Sequence, residues 1–421
     1  MRRPCETEKK SEKSSIMVKV LGKFDFKGKK VLLRCDLNVP ISEDGLILSD
    51  SEKQGSQAER EVLILNDFRI KQSVPTIRYL IERGAKVIII SHLGDPDGRV
   101  VNNLRLDRVK EKLADFLGLP VLKTNDCVGN AVKNTVAKMQ NGEVLLLENI
   151  RFHSEEEDNN EQFSKELASL GDIYINDAFG VCHREHTSVV GIPKYLPSGA
   201  GLLLEKEIKV LSGVLENPWR PLVVVIGGIK IATKIKMIEK FIKFADHVLL
   251  GGGIANTILI GKGVMIGAPL PEKEILEKID RINLTDAKIH LPIDGIIVLD
   301  KERDVARQGA IGTFRKEEAV LDIGPETIKI FKEIIKEAKM IVWNGPLGLS
   351  EDKRFKNGTK EVAQEITRNH SAFKVAGGGE TVEAISKFGL FDKFDHVSTG
   401  GGAMLDFLSG EKLPGIIAID K

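Results

Sequence analysis

The chain reads as an α/β protein built on two mainly parallel sheets. Three observations predict this. Strand-sized apolar runs recur along its whole length, and amphipathic segments of helical spacing separate them. Several runs are nearly continuous Val, Ile and Leu, as strands buried on both faces must be. About ten such runs in one chain suit two sheets better than one.

Taken in order, the runs are Val31–Asp36, Lys86–Ile90, Glu143–Glu148, Asp172–Asp177, Leu222–Gly227, His247–Gly251, Gly295–Asp300, Met340–Asn344, Phe373–Gly377 and His396–Gly400. Gln72–Arg83 and Pro325–Lys336 carry the apolar spacing of helices between them. The SGAG stretch at 198–201 marks the boundary between halves. The expected parts are a solvated tail at 1–16, a first domain at 17–200, a second at 201–405, and a closing segment at 406–421. Leu48–Leu65 begins polar, ends apolar and breaks the pattern; it reads as an insertion at the surface.

Composition narrows the function. Lys and Arg number 62 against 61 Asp and Glu, a formal net charge of +1, so no global charge favours nucleic acid or a membrane surface. With 42% hydrophobic and 29% charged residues, wholesale disorder is excluded. The longest apolar runs, such as Pro221–Gly228, are far short of the ~18 residues of a membrane span. Four dispersed cysteines form neither a disulfide framework nor a zinc signature. The first residues carry Glu6, Glu8 and Glu12 and no apolar core behind their basic start, so a cytoplasmic protein is expected.

The ends of the strands carry the chemistry, because ligands of open α/β sheets sit beyond the carboxyl ends. In the first half those ends and the segments beside them hold Asp36, Asn38, Arg69, His92, Arg151, His183 and Arg184. Three arginines there suit a small anion, since a guanidinium grips carboxylate or phosphate with two parallel hydrogen bonds. In the second half the ends are glycines: Gly227-Gly228, Gly251-Gly252-Gly253, Gly345, Gly377-Gly378-Gly379 and Gly400-Gly401-Gly402. Bare backbone there lets amides approach phosphates closely. Lys230 and Lys234 follow the first pair at a spacing that would share one helix face. Glu380, directly after its glycines, is placed to hold Mg²⁺ with help from phosphate oxygens, and Glu351 is a second candidate for a nucleotide contact. There is no P-loop pattern, no dinucleotide fingerprint and no protein-kinase set.

Ten segments then add up to a family. RCDLNVP (34–40), FRIKQSVPTI (68–77), SHLGDPDG (91–98), LLENIRFHSEE (146–156), NDAFGVCHREHTS (176–188), GGIKIATKI (227–235), LLGGGIANT (249–257), VWNGPLG (342–348), GGGET (377–381) and STGGGA (398–403) resemble phosphoglycerate kinases, in order, over about residues 17–421. The resemblance implies two Rossmann-like domains joined by a hinge. It implies a monomer that uses Mg²⁺ and moves a phosphoryl group between 1,3-bisphosphoglycerate and ADP. It implies that Asp36, Asn38, Arg69, His92, Arg151 and Arg184 hold the phosphoglycerate. Lys230, Lys234, Gly252, Asn344, Glu351 and Gly378, Gly379, Glu380 and Thr381 would then hold the nucleotide, with Glu380 at the metal. Arg69 and Lys234 are the expected catalytic cations, and 414–421 is expected to cross back to the first domain. Three positions depart from the family pattern: HLGRP reads HLGDP at Asp95, GGGD reads GGGE at Glu380, and GGAKV reads GGIKI at Ile229.

Overall fold

Strands covered by helices on both faces need apolar side chains throughout, and that demand organises this chain. The computed structural model describes residues 18–41, 66–266, 272–280, 282–283, 286–299, 306–315 and 318–420. The tail at 1–16 and the whole stretch at 48–65 lie outside them.

The first sheet holds β1 (Lys30–Arg34), β2 (Lys86–Ile90), β3 (Val121–Lys123), β4 (Val144–Leu146), β5 (Ile173–Asn176) and β6 (Ser198–Ala200). Its spatial order is β3-β4-β2-β1-β5-β6, every pair parallel. The second holds β7 (Leu222–Ile226), β8 (His247–Leu250), β9 (Ile289–His290), β13 (Met340–Asn344), β14 (Phe373–Gly377) and β15 (His396–Val397). It is parallel too, in the order β15-β14-β13-β7-β8-β9. Between them in sequence, β10 (Asp294–Leu299), β11 (Ala306–Ala310) and β12 (Glu318–Ile323) make a small antiparallel sheet. The run that starts at Gly295 therefore belongs, through Leu299, to this separate sheet and not to a parallel one.

Helices cover the first sheet as α1 (Phe68–Glu82), α2 (Asp107–Leu117), α3 (Asn130–Lys138) and α4 (Glu161–Ala168). Helix α5 (Leu202–Glu216) leads from one lobe to the other. The second lobe carries α6 (Ile231–Phe244), α7 (Gly252–Gly261), α8 (Lys273–Asp280), α9 (Pro325–Glu337), α10 (Asn357–Arg368), α11 (Gly379–Lys387) and α12 (Gly402–Ser409). Helix α13 (Pro414–Ile419) closes the chain. Residue 406 falls inside α12, so the crossing back begins later: the Gly415 amide donates to the Cys182 carbonyl at 2.8 Å, in the first lobe.

In a doubly wound sheet the ligand crevice opens where the strand order reverses. That point lies between β1 and β5 in the first sheet and between β7 and β13 in the second. Register fixes what stands there: Arg34 opposite Asn176, and Ile226 opposite Asn344. The apolar core runs through the junction, with the rings of Phe179 and Phe407 6.2 Å apart.

Candidate active site

Beyond β1 the chain turns so that Asp36, nearly buried, accepts from the Asn38 amide at 3.2 Å and from Arg69 Nη1 at 3.3 Å. Arg69 stands on the first turn of α1, which begins at Phe68, earlier than the spacing suggested. Its Nη1 also donates to the Asn38 carbonyl at 2.8 Å. Its Nη2 reaches across to the Thr399 carbonyl of the other lobe at 3.5 Å. Asn38 Oδ1 accepts from the Gly94 amide at 3.0 Å. Asp36, Asn38 and Arg69 are thus one bonded set.

His92 follows β2 and is buried. Burial holds it well below the ordinary histidine range, and the charges of Arg34, Arg151 and Arg69 add to that. Three guanidinium groups acting on one imidazole show that positive charge converges here, as an anion site needs. Arg151 donates to the Gly94 carbonyl at 3.0 Å and lies 3.2 Å from Glu157, while Asp95 takes the same Nη1 in a close ion pair. One of the three departures from the family pattern is therefore in direct contact with a candidate substrate-binding residue. Arg184 stands apart, exposed on the turn after Val181. Its field still acts on His186, which is pushed down to about 4 mainly by burial and then by Arg151, Arg34 and Arg184.

Three residues of this lobe, Arg34, Ser188 and Glu156, lie within the quoted motifs but have no role assigned to them. Arg34 is the last residue of β1 and is 1% exposed. Its Nε donates to Ser188 Oγ at 2.8 Å, and Ser188 Oγ donates to the buried Glu156 at 2.6 Å. Its Nη2 lies 3.2 Å from His92 Nδ1. A guanidinium only donates, so Nδ1 accepts and the imidazole proton sits on Nε2. The available signal was a charged residue inside an apolar run, since buried charge requires partners.

In the second lobe the turn after β7 places Lys230 at the cap of α6, outside the helix and exposed. The shared helix face expected for Lys230 and Lys234 is not formed, because the cap backbone is not helical. Lys234 is 8% exposed, and its ammonium donates to the Gly227 carbonyl at 2.7 Å and lies 3.4 Å from that of Asn344. Burial pushes it down to about 8, against the opposing charge of Glu380. Gly345, at φ +95°, lets backbone pass where a Cβ would strike the Gly227 carbonyl. Asn344 Nδ2 donates to Gly377 O at 3.0 Å and Thr381 Oγ1 accepts from the Gly345 amide at 2.6 Å. Both are buried, and these hydrogen bonds brace the cradle from within. Gly252, Ile229, Glu351 and Glu380 line one cleft beside it. Gly378, Gly379 and Arg69 line a second cleft that spans the lobes.

Glu380 is exposed in the first turn of α11. Its Oε2 and the Lys234 ammonium each lie 3.1 Å from the point where a Cβ on Gly228 would sit. One open carboxylate beside a glycine-lined cradle is a donor set that Mg²⁺ accepts when phosphate oxygens complete it. The residues fit the ion.

Two parallel α/β lobes with a cationic pocket on one and a glycine-lined cradle on the other define a two-domain phosphotransferase. A family model, phosphoglycerate kinase, matches residues 21–411. The phosphoglycerate kinase of Dictyoglomus turgidum is 43% identical over 400 residues, covering 94% of this chain and 96% of that protein. That of Trichodesmium erythraeum is 42% identical, covering 95% and 98%. The solved phosphoglycerate kinase of Pyrococcus horikoshii matches with a TM-score of 0.81 at 32% identity, covering 95% of this chain and 98% of that one. The Coxiella burnetii structure matches at 0.78 with 34% identity, covering 96% and 99%. The chain belongs to the phosphoglycerate kinase family, whose members transfer phosphoryl groups to a carboxyl acceptor.

Proposed function

We propose that the protein reversibly transfers a phosphoryl group between 1,3-bisphosphoglycerate with ADP and 3-phosphoglycerate with ATP, as a glycolytic kinase that needs Mg²⁺. The observation that carries this reading is Arg69 bridging the lobes to Thr399, beside the start of α12. Gly401, at φ +49°, precedes that helix, and a Cβ there would lie 4.0 Å from the Arg69 guanidinium. The Arg69 guanidinium thus lies beside the start of α12.

Phosphoryl transfer asks for position and charge, with little covalent work by the protein. Towards ADP, a carboxylate oxygen of 3-phosphoglycerate bonds to the γ-phosphorus as the bond to ADP breaks, and ADP keeps the electron pair. The nucleophile is already ionised, so no general base is needed. Asp36, Asn38, His92, Arg151 and Arg184 would hold the phosphoglycerate. Lys230, Lys234, Gly252, Glu351 and Gly378–Glu380 would hold the nucleotide, with Asn344 and Thr381 shaping the cradle. Arg69 and Lys234 would neutralise charge on the group in transit, aided by the Gly400–Gly402 amides. Mg²⁺ at Glu380 would neutralise phosphate oxygens when bound. Reactants held on two lobes must meet, so hinge closure that excludes water belongs to this reading. Both substrates bind to one chain, which makes a monomer sufficient.

The test is ADP formation by the purified protein with ATP, Mg²⁺ and 3-phosphoglycerate, the product being consumed to pull the reaction. Turnover that needs all three is expected. Folded protein that binds ADP and gives no turnover would defeat the proposal. Arg69→Ala and Lys234→Ala should each cost about 10²–10³ in kcat, the scale of one lost electrostatic donor. Near-normal kcat in either would remove that residue from the role.

A further inference from the structure

Loops after β3 and β4 meet because these strands are neighbours in register. The first carries Asp126 and Cys127, and the second carries His153. One donor atom from each of the three lies within 4.8 Å of the other two. Asp126 Oδ1 is 2.7 Å from His153 Nε2 and accepts from the Cys127 amide at 2.6 Å. The Cys127 thiol is buried beneath them and donates to the Glu148 carbonyl at 2.9 Å. The His153 ring packs on Phe163 at 4.9 Å, which limits its rotation. None of the three side chains takes part in the phosphoryl-transfer assignment above.

We propose that Asp126, Cys127 and His153 form a binding site for a borderline-soft divalent cation, Zn²⁺ being the natural occupant. Thiolate, imidazole and carboxylate together are a zinc donor set, while Mg²⁺ and Ca²⁺ take oxygen alone. Bond lengths of about 2.0–2.3 Å let one ion span these donors after modest rotation of Asp126 and His153, which are partly exposed at the surface. Their hydrogen bond gives way to two metal bonds. The thiol releases its proton to solvent as sulfur bonds the ion, and neutral His153 donates its ring lone pair. Two anionic ligands and one neutral one balance the 2+ charge, and water completes a tetrahedral shell. The Cys127 thiol is held up by burial and then by the charges of Asp126, Glu148 and Glu156. The same negative field that opposes a bare thiolate attracts a dication. Because a proton must leave, affinity should rise with pH.

The test is titration of the full-length protein with Co²⁺, a visible substitute for Zn²⁺. A near-ultraviolet thiolate-to-cobalt band should grow to one equivalent and vanish when Zn²⁺ is added. Cys127→Ser should abolish the band while ADP-forming activity shows the variant to be folded. His153→Gln, at the surface, should weaken binding at least about tenfold through loss of one of three ligands, and decides the matter if Cys127→Ser does not fold. Absence of the band at one equivalent, or its survival in both variants, would overturn the site.

Discussion

Asp95 holds Arg151, which the proposed function gives to the phosphoglycerate, so Asp95 would bear on substrate affinity. The pair is reached by solvent, with Asp95 80% exposed, so its net worth is at most about 1 kcal/mol. Asp95→Asn should therefore lower KM for 3-phosphoglycerate by about fivefold at most with kcat kept. Asp95→Arg, which adds a charged contact, should lower it further, by about 1–3 kcal/mol of binding. An unchanged KM in both would show that Arg151 is not a substrate ligand. Arg34 acts one step behind the pocket. Arg34→Met should let His92 titrate higher, though still depressed by burial, and should mix its tautomers in ¹⁵N NMR spectra. A structural role alone would leave the tautomer fixed. Lys234 sets a pH limit. It is charged below about 8 and neutral above, so kcat/KM for the nucleotide should fall as pH rises through 8. A flat profile from pH 7 to 9 would exclude the free ammonium as the phosphate partner.

Helix α5 is held by two buried carboxyl groups, one at its start and one inside it. At its start, Asp177 Oδ1 accepts from the Leu203 amide at 2.9 Å and the Leu204 amide at 3.3 Å. Burial pushes Asp177 up to about 7, above the 3.8 of an unfolded chain. The folded state binds this proton more tightly. Its contribution is complete below about pH 4 and is lost as pH rises through 7. Asp177→Asn should consequently gain on the wild type between pH 4 and 7 in urea melts, and a constant difference would contradict the assignment. Further along, Glu207 accepts from the Thr399 amide at 2.7 Å and its hydroxyl at 2.9 Å, and lies 2.8 Å from His396 Nε2. Glu207→Ala leaves those groups unpaired and should cost about 3–5 kcal/mol. The parallel strands were legible because burial on both faces forces continuous apolar runs. Strand β11 was not, since Ala306–Ala310 is mostly exposed and polar. The three-residue strands β3 and β6 are too short to show a period. Strand-end residues such as Asp36 and Asn344 were legible because topology alone puts them at the crevice. The Arg34–Ser188–Glu156 chain spans 154 residues and was hidden, as no local spacing encodes it.

The two lobes are tied by more than the helix between them. Helix α13 buries Ile416 and Ile419 where it packs back on the first lobe, and Leu413 just before it is buried too. Removing 414–421 takes away two buried side chains, roughly 3–6 kcal/mol of apolar transfer. Scanning calorimetry should show a clear fall in Tm, and an unchanged Tm would mean that this docking adds nothing. A last property of the whole chain lies in Trp343. It is fully buried beside Asn344, and its indole donates to the Gly345 carbonyl at 2.8 Å. The only other tryptophan, Trp219, is exposed against Phe373 in the same lobe. Intrinsic indole emission therefore comes from one half of the molecule alone. Filling the glycine cradle would perturb Trp343 emission, while events confined to the arginine pocket would pass unseen in that channel, giving an optical way to time the two arrivals separately.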